Sequence, residues 1–251
     1  MAALEVISRT NETKAIKRVQ QLLSAAFTPQ EQQHAVLILG QLKTVVARPV
    51  LNDLVRQLEA STLPQEVLVE LLEVVEGMKA PDPSWIQALE NWKKSANVDP
   101  ELEHIGEFVA SQEGGNAATG KKIFLTHVTA ACVRCHQVGD QGNTVGPNLT
   151  RISDMKDARY LLRSIVSPSA DIAPEYQTFV IQLLSGETIQ GLLKSDDGTT
   201  TTLYDSTGKE VKIRNKEIDE AGPRTLSIMP EMKTVLSKRE IRDLMAYLKT
   251  L

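Results

Sequence analysis

Both cysteines of this chain fall in one five-residue string, Cys132-Val133-Arg134-Cys135-His136. A C-x-x-C-H string is the attachment site of a covalent c-type haem. On a helical turn, positions i, i+3 and i+4 share a face. The two thiols can then reach the two vinyl groups of the ring while His136 turns beneath it to bind iron. A structural zinc site needs four nitrogen or sulfur ligands, but no other cysteine exists and His34, His104 and His127 are scattered. A redox C-x-x-C pair needs no following histidine and sits in a thioredoxin-like βαβ pattern, which is absent. The string therefore predicts one covalent haem c on Cys132, Cys135 and His136.

The chain around this string is long enough for two domains. Its 251 residues compare with about 100–150 for a typical one. No run of about 18 apolar residues occurs, so no membrane span is expected. Residues 1–112 carry 10 Lys and Arg against 15 Asp and Glu, and residues 113–251 carry 18 against 17. Neither half has the basic excess of a nucleic-acid binder. The start, Met1-Ala2-Ala3-Leu4-Glu5-Val6, lacks the parts of a signal peptide, although covalent haem attachment in bacteria normally happens outside the cytoplasm. The expectation is a piece of a longer secreted protein, periplasmic or otherwise extracytoplasmic.

Residues 1–112 read as a fragment of a helical repeat array. Five helices are expected at roughly 13–27, 29–43, 46–60, 64–78 and 83–95. Thr28-Pro29-Gln30-Glu31 combines an N-cap, a first-turn proline and a glutamate three residues on. Pro64-Gln65-Glu66 repeats part of it 35 residues later, and Asp82-Pro83 opens another helix. Paired helices at such a period point to a HEAT-like solenoid, although those repeats usually run to about 40–47 residues. Glu66, Glu70, Glu73 and Glu76 recur at helical spacing and read as a solvated face. His34 reads as structural or solvent-facing. Ser111-Gln112-Glu113-Gly114-Gly115-Asn116 reads as the linker. Before it, Leu102, Ile105, Phe108 and Val109 form an apolar stripe that must be buried.

Residues 113–251 carry the remaining haem chemistry. Gly120 and Phe124 lie on an expected first helix, Ala117 to Leu125. Ser237-Lys238-Arg239-Glu240 is a capping box opening a last helix with an Ile241, Leu244, Met245, Leu248 stripe and Tyr247 beside it. A glycine permits close crossing of two helices, with Phe124 and Tyr247 packing about it. In Gly146-Pro147-Asn148-Leu149, the Pro147 carbonyl is the candidate acceptor for the second ring nitrogen of His136, which would make the ligand more basic; the alternative is an ordinary Gly-Pro turn. For the sixth iron position Met229, in Ser227-Ile228-Met229-Pro230, is the candidate and Met232 its nearest competitor. A thioether ligand raises the potential, whereas an open position admits small molecules. Met245 reads as core, Met155 lies in a polar helix start, and His127 reads as proximal-side or surface.

His136 and Met229 are 93 residues apart, more than a compact haem fold needs. Tyr176–Leu184, Glu187–Lys194, Thr200–Tyr204 and Glu210–Arg214 read as strands, separated by Ser185-Gly186, Asp196-Asp197-Gly198 and Ser206-Thr207-Gly208. This predicts an antiparallel β insertion at about 176–214, expected to tune packing or partner choice rather than catalysis.

These features, together with Val145-Gly146-Pro147-Asn148-Leu149, Ser164-Ile165-Val166-Ser167-Pro168, Ile172-Ala173-Pro174-Glu175-Tyr176 and Asp243-Leu244-Met245-Ala246-Tyr247-Leu248, occur in an order that resembles a known family. It is the haem-binding cytochrome c domain abundant in planctomycetes and verrucomicrobia. The resemblance covers roughly residues 114–251 and implies a mainly α chain: a HEAT-like solenoid fragment followed by a class I-like cytochrome c domain with a β insertion. It also implies a non-enzymatic electron carrier at the C-terminus of a larger secreted, dehydrogenase-like protein. Its partner would be a redox protein or a fused dehydrogenase domain. Two other readings stay open: a sensor or peroxidase-like site with a displaceable sixth ligand, and a docking scaffold with a structural haem.

Overall fold

The computed structural model describes residues 2–24, 26–96 and 105–251. Leu102, His104 and the segment Val98-Asp99-Pro100 fall outside them. Six helices, α1 (Ala2–Thr10), α2 (Glu12–Leu22), α3 (Pro29–Leu39), α4 (Thr44–Glu59), α5 (Leu68–Glu76) and α6 (Pro83–Ala96), pack around one apolar core. The sequence reading lacks α1, whose nine residues bury Leu4 but carry too short a pattern to stand out. α3 starts as expected: Thr28 Oγ1 accepts from Glu31 N, and the Glu31 carboxylate accepts from Thr28 N. The second Pro-Gln-Glu string behaves differently and forms a 3-10 turn, Gln65–Val67, before α5. The residue preceding Pro64 is Leu63, which has no side-chain oxygen to cap a helix.

Glu70 and Glu73 of α5 overturn the reading of a solvated face, while Glu76 stays exposed. Glu70 is 1% exposed and accepts two hydrogen bonds of 2.8 Å from the guanidinium of Arg242. Glu73 pairs with Arg239, and Glu76 lies 2.7 Å from Lys93 Nζ. Helical spacing marks a charged face but does not say whether water or a distant arginine covers it.

A second core is built from α7 (Ala117–Thr126), α8 (Ile152–Met155), α9 (Ala158–Val166) and α10 (Lys238–Leu248). α7 and α10 cross where the sequence places the glycine. A methyl group on Gly120 would overlap the Asp243 carbonyl oxygen, and the Phe124 and Tyr247 rings lie 5.7 Å apart at 55°. The Ser237–Glu240 capping box opens α10.

The expected linker is no free hinge. Ser111 is fully buried. Gln33 Nε2 donates to both the Glu66 and Gly114 carbonyls at 2.8 Å, and Asn116 N donates to Asp243 at 2.8 Å. Gly115 packs directly against the Arg242 backbone. The glycines serve close packing here, which local composition cannot distinguish from flexibility.

After a short hairpin, β1 (Gln137–Val138) with β2 (Gln141–Gly142), comes a five-stranded antiparallel sheet. β3 (Thr178–Leu183), β4 (Thr188–Asp196), β5 (Thr200–Tyr204) and β6 (Glu210–Arg214) form the expected meander. The chain then adds β7 (Ile218–Arg224) on the other side of β3, so the insertion extends beyond residue 214. β7 escapes sequence reading because Asp219, Glu220, Gly222 and Pro223 carry little apolar alternation, and a proline demotes a strand to an edge. Edge position is where it sits. Ile181, Leu203 and Ile213 are buried on one face.

Candidate haem site

Ala131 adopts a left-handed backbone (φ 45°) and launches a 3-10 turn, Cys132–Arg134. In such a turn residues i and i+3 eclipse, which brings Cys132 and Cys135 to one side. Cys135 N donates to the Cys132 carbonyl at 3.1 Å, and His136 N to the same oxygen at 2.9 Å. Both thiols are free and half-buried. Burial pushes the Cys132 thiol up to about 11. Burial also raises Cys135, with Arg134 opposing and Asp205 adding to the shift. Neither is an activated thiolate at neutral pH, unlike the attacking sulfur of a disulfide exchanger.

His136 is fixed from three directions. A methyl group on Gly142 (φ +99°) would overlap the His136 carbonyl, and one on Gly146 would sit 3.1 Å from ring atom Cε1. Gly146 N donates to the Cys135 carbonyl at 2.7 Å, tying the Gly146-Pro147 segment to the attachment turn. His136 Nδ1 lies 3.0 Å from the Pro147 carbonyl oxygen. A carbonyl only accepts, so the neutral ring carries its proton on Nδ1 and leaves the Nε2 lone pair for a metal. Burial lowers the imidazole pKa, and the Pro147 bond partly opposes it.

The methionines sort by burial. Met245 is fully buried and Met232 is 3% exposed, both inside the second core, whereas Met155 is 63% exposed. Met78 packs on the first core. Met229 is half-buried and packs on the second core, as do Cys132, Val133, Leu125, Ala130, Val138 and Leu149. Its loop is held: Ser227 N donates to Ser169 Oγ at 3.2 Å, and Met229 N to Ser227 Oγ at 3.1 Å. His127, at the end of α7, accepts from Ala130 N at 3.0 Å through Nδ1 and faces Glu240 at 3.8 Å through Nε2. Both its nitrogens are engaged locally. His34 Nε2 is a buried atom of α3 without a hydrogen-bond partner, and His34 belongs to the first helical array.

Two thiols on one turn, an imidazole with a free Nε2, a thioether and half-buried apolar side chains make a donor set that fits haem c. Cys132 and Cys135 would hold the ring covalently, and His136 would bind iron. Among the described residues no group of three or more His, Cys, Asp or Glu is placed for another metal. From sequence alone, Ser206-Thr207-Gly208 reads only as a turn between strands. A methyl group on Gly208 would lie 3.1 Å from the Arg134 carbonyl oxygen, inside the attachment string. No local signal in the sequence announces that contact.

A family model described as Cytochrome c matches residues 117–179. The matched stretch contains the attachment string and Pro147 and stops at the second residue of β3, before Met229 and α10. A search of curated proteins finds no match to this chain. Over residues 117–179 the chain is similar to the cytochrome c family, and together with the C-x-x-C-H turn this match supports a haem-binding cytochrome c domain with a haem-based electron-transfer role.

Proposed function

We propose that residues 113–251 form a single-haem electron carrier, not an enzyme, with His136 and Met229 as axial ligands. The observation that carries this reading is the Nδ1 contact of His136 with the Pro147 carbonyl, within a C-x-x-C-H turn. It gives the imidazole one tautomer and raises its basicity as a ligand. Bound haem supplies a one-electron redox couple, and a thioether opposite histidine raises its potential. Side chains packed before and after transfer keep reorganisation small.

Residues 1–112 are read as a HEAT-like repeat fragment that orients the carrier in a larger secreted, dehydrogenase-like protein. Electrons would pass between that protein, or a separate redox partner, and the haem. Cytochrome c domains are typically extracytoplasmic, and among the described residues no helix is long and apolar enough to cross a membrane. The order of motifs is read as that of the planctomycete and verrucomicrobial haem-binding domain. The peroxidase-like alternative needs a distal acid-base pair, and the local engagement of both His127 nitrogens argues against His127 as a member of one.

The test is an absorption spectrum of the oxidised and reduced protein, with and without carbon monoxide. A methionine-to-iron charge-transfer band and indifference to carbon monoxide are expected. Met229→Ala should abolish the band, lower the potential and admit carbon monoxide. Loss of the band in Met232→Ala instead would move the ligand role to Met232.

A further inference from the structure

The sheet contacts both the attachment turn and the loop that leads to Met229. Its register pairs Arg224 with Thr178, Thr178 with Leu192, Leu192 with Tyr204 and Tyr204 with Glu210. These residues form one continuous row across all five strands. Four interstrand spacings make the row about 19 Å long. The loop bearing Met229 leaves the sheet at the Arg224 end, and the turn between β5 and β6 lies at the Glu210 end.

Each end is anchored. Thr178, 1% exposed, donates to the Leu226 carbonyl from its backbone N at 3.0 Å and from Oγ1 at 2.6 Å. Leu226 is three residues before Met229. At the other end Gly208 (φ +78°) lies close to the Arg134 carbonyl and to Val145, whose Cγ2 would be 3.8 Å from an added methyl group. Val145 directly precedes Gly146-Pro147, the segment that holds the His136 ring. The turn is stiff in itself: the Asp205 carboxylate accepts from Thr207 N at 2.8 Å, Thr207 Oγ1 at 2.6 Å and Lys209 N at 3.0 Å.

We propose that the inserted sheet is a brace that fixes the separation of the His136 and Met229 loops, with Gly208 and Thr178 as its positioning residues. This rests on the assignment of Met229 as a ligand. His136 would sit beside two covalent attachments, whereas Met229 has only its loop and its packing on the second core to hold it. A loosened brace therefore shows first as loss of the methionine bond. The sheet is then part of the haem site and not an appendage that can be removed without consequence.

The test uses the holoprotein with Gly208→Ala and Thr178→Val, and with Gly186→Ala and Gly198→Ala as controls. Gly186 and Gly198 have the same left-handed backbone (φ +87° and +83°), but an added methyl group would meet nothing within 4 Å. The controls strain a turn of the same sheet without touching either ligand loop. In the two brace variants the methionine-to-iron band should disappear roughly 5 °C or more below the temperature at which the far-UV helix signal is lost. In the controls and the parent the two transitions should coincide. Brace variants that behave like the controls would overturn the proposal while leaving methionine ligation standing. A parent protein with no such band would overturn both. If Gly208→Ala does not fold, Thr178→Val decides alone, since it keeps a β-branched side chain in the strand.

Discussion

The ring of His136 is clamped between Gly146 and the Pro147 carbonyl, so a single methyl group tests what that clamp does. In Gly146→Ala the new carbon would sit 3.1 Å from Cε1 and 3.2 Å from Nδ1, and the ring must turn by a few tenths of an ångström. That weakens the Nδ1 bond and makes the ligand less basic, which disfavours the oxidised iron. The potential should rise, with a tenfold change in relative affinity corresponding to about 59 mV. Voltammetry of the holoprotein measures it, and an unchanged potential would show that the bond does not tune the ligand. At this scale the sequence is informative because haem attachment is encoded in neighbouring residues. Cys132, Cys135 and His136 share a turn, and Pro147 lies only 11 positions away. Asp205 and Gly208 are not legible in this way, because Asp205 acts on Cys135 and Gly208 approaches Arg134 from about 70 positions downstream.

Helix ends and helix crossings behave similarly. The capping boxes at Thr28 and Ser237 could be read directly, since donor and acceptor lie three residues apart. Ser237→Ala should cost about 1 kcal/mol at neutral pH. The Ser237 backbone N–H and hydroxyl hold Glu240 below the ordinary 4.5 of a glutamate. A carboxylate lowered in the folded state stabilises above its unfolded pKa, and that contribution is lost as pH falls through the folded value. The difference between parent and Ser237→Ala should therefore shrink as pH drops below 4.5, as urea titrations across that range would record; a constant difference would exclude the carboxylate. Gly120→Ala probes the α7–α10 crossing. Its methyl group meets a backbone carbonyl that has no rotamer to escape into, so the helices must part at about 1–3 kcal/mol. Calorimetry should show the melting temperature falling while the haem stays attached. β7 is the element that sequence periodicity does not find. It is an edge strand defined by its hydrogen bonds to β3, and its side chains carry almost none of the signal.

Across the whole molecule, the pairing of α5 with α10 decides how the helical array meets the haem-bearing part. Glu70 and Arg242 lie 172 positions apart, and both are nearly inaccessible to water. Arg239–Glu73 and Lys238–Glu107 extend the contact, and Lys93 reaches Glu107 and Glu76 from α6. The cores also interlock, because Ile105 belongs to the second and Ala110 to the first. A buried ion pair is costly to desolvate, so its presence does not mean that it adds stability. Breaking it from one side strands a charge. Arg242→Met or Glu70→Leu alone should destabilise by about 3–5 kcal/mol, and the double variant should recover most of that loss. Additive losses in a double-mutant cycle would mean that the two side chains act independently. The pair then has a further consequence for orientation. If it locks the array onto α10, small-angle scattering of the parent should fit one rigid shape, and Arg242→Met should require a broader ensemble. A parent that already needs many inter-part orientations would defeat the rigid arrangement and leave the electron-transfer role untouched. A rigid arrangement would let the array set the direction in which the haem edge faces its donor.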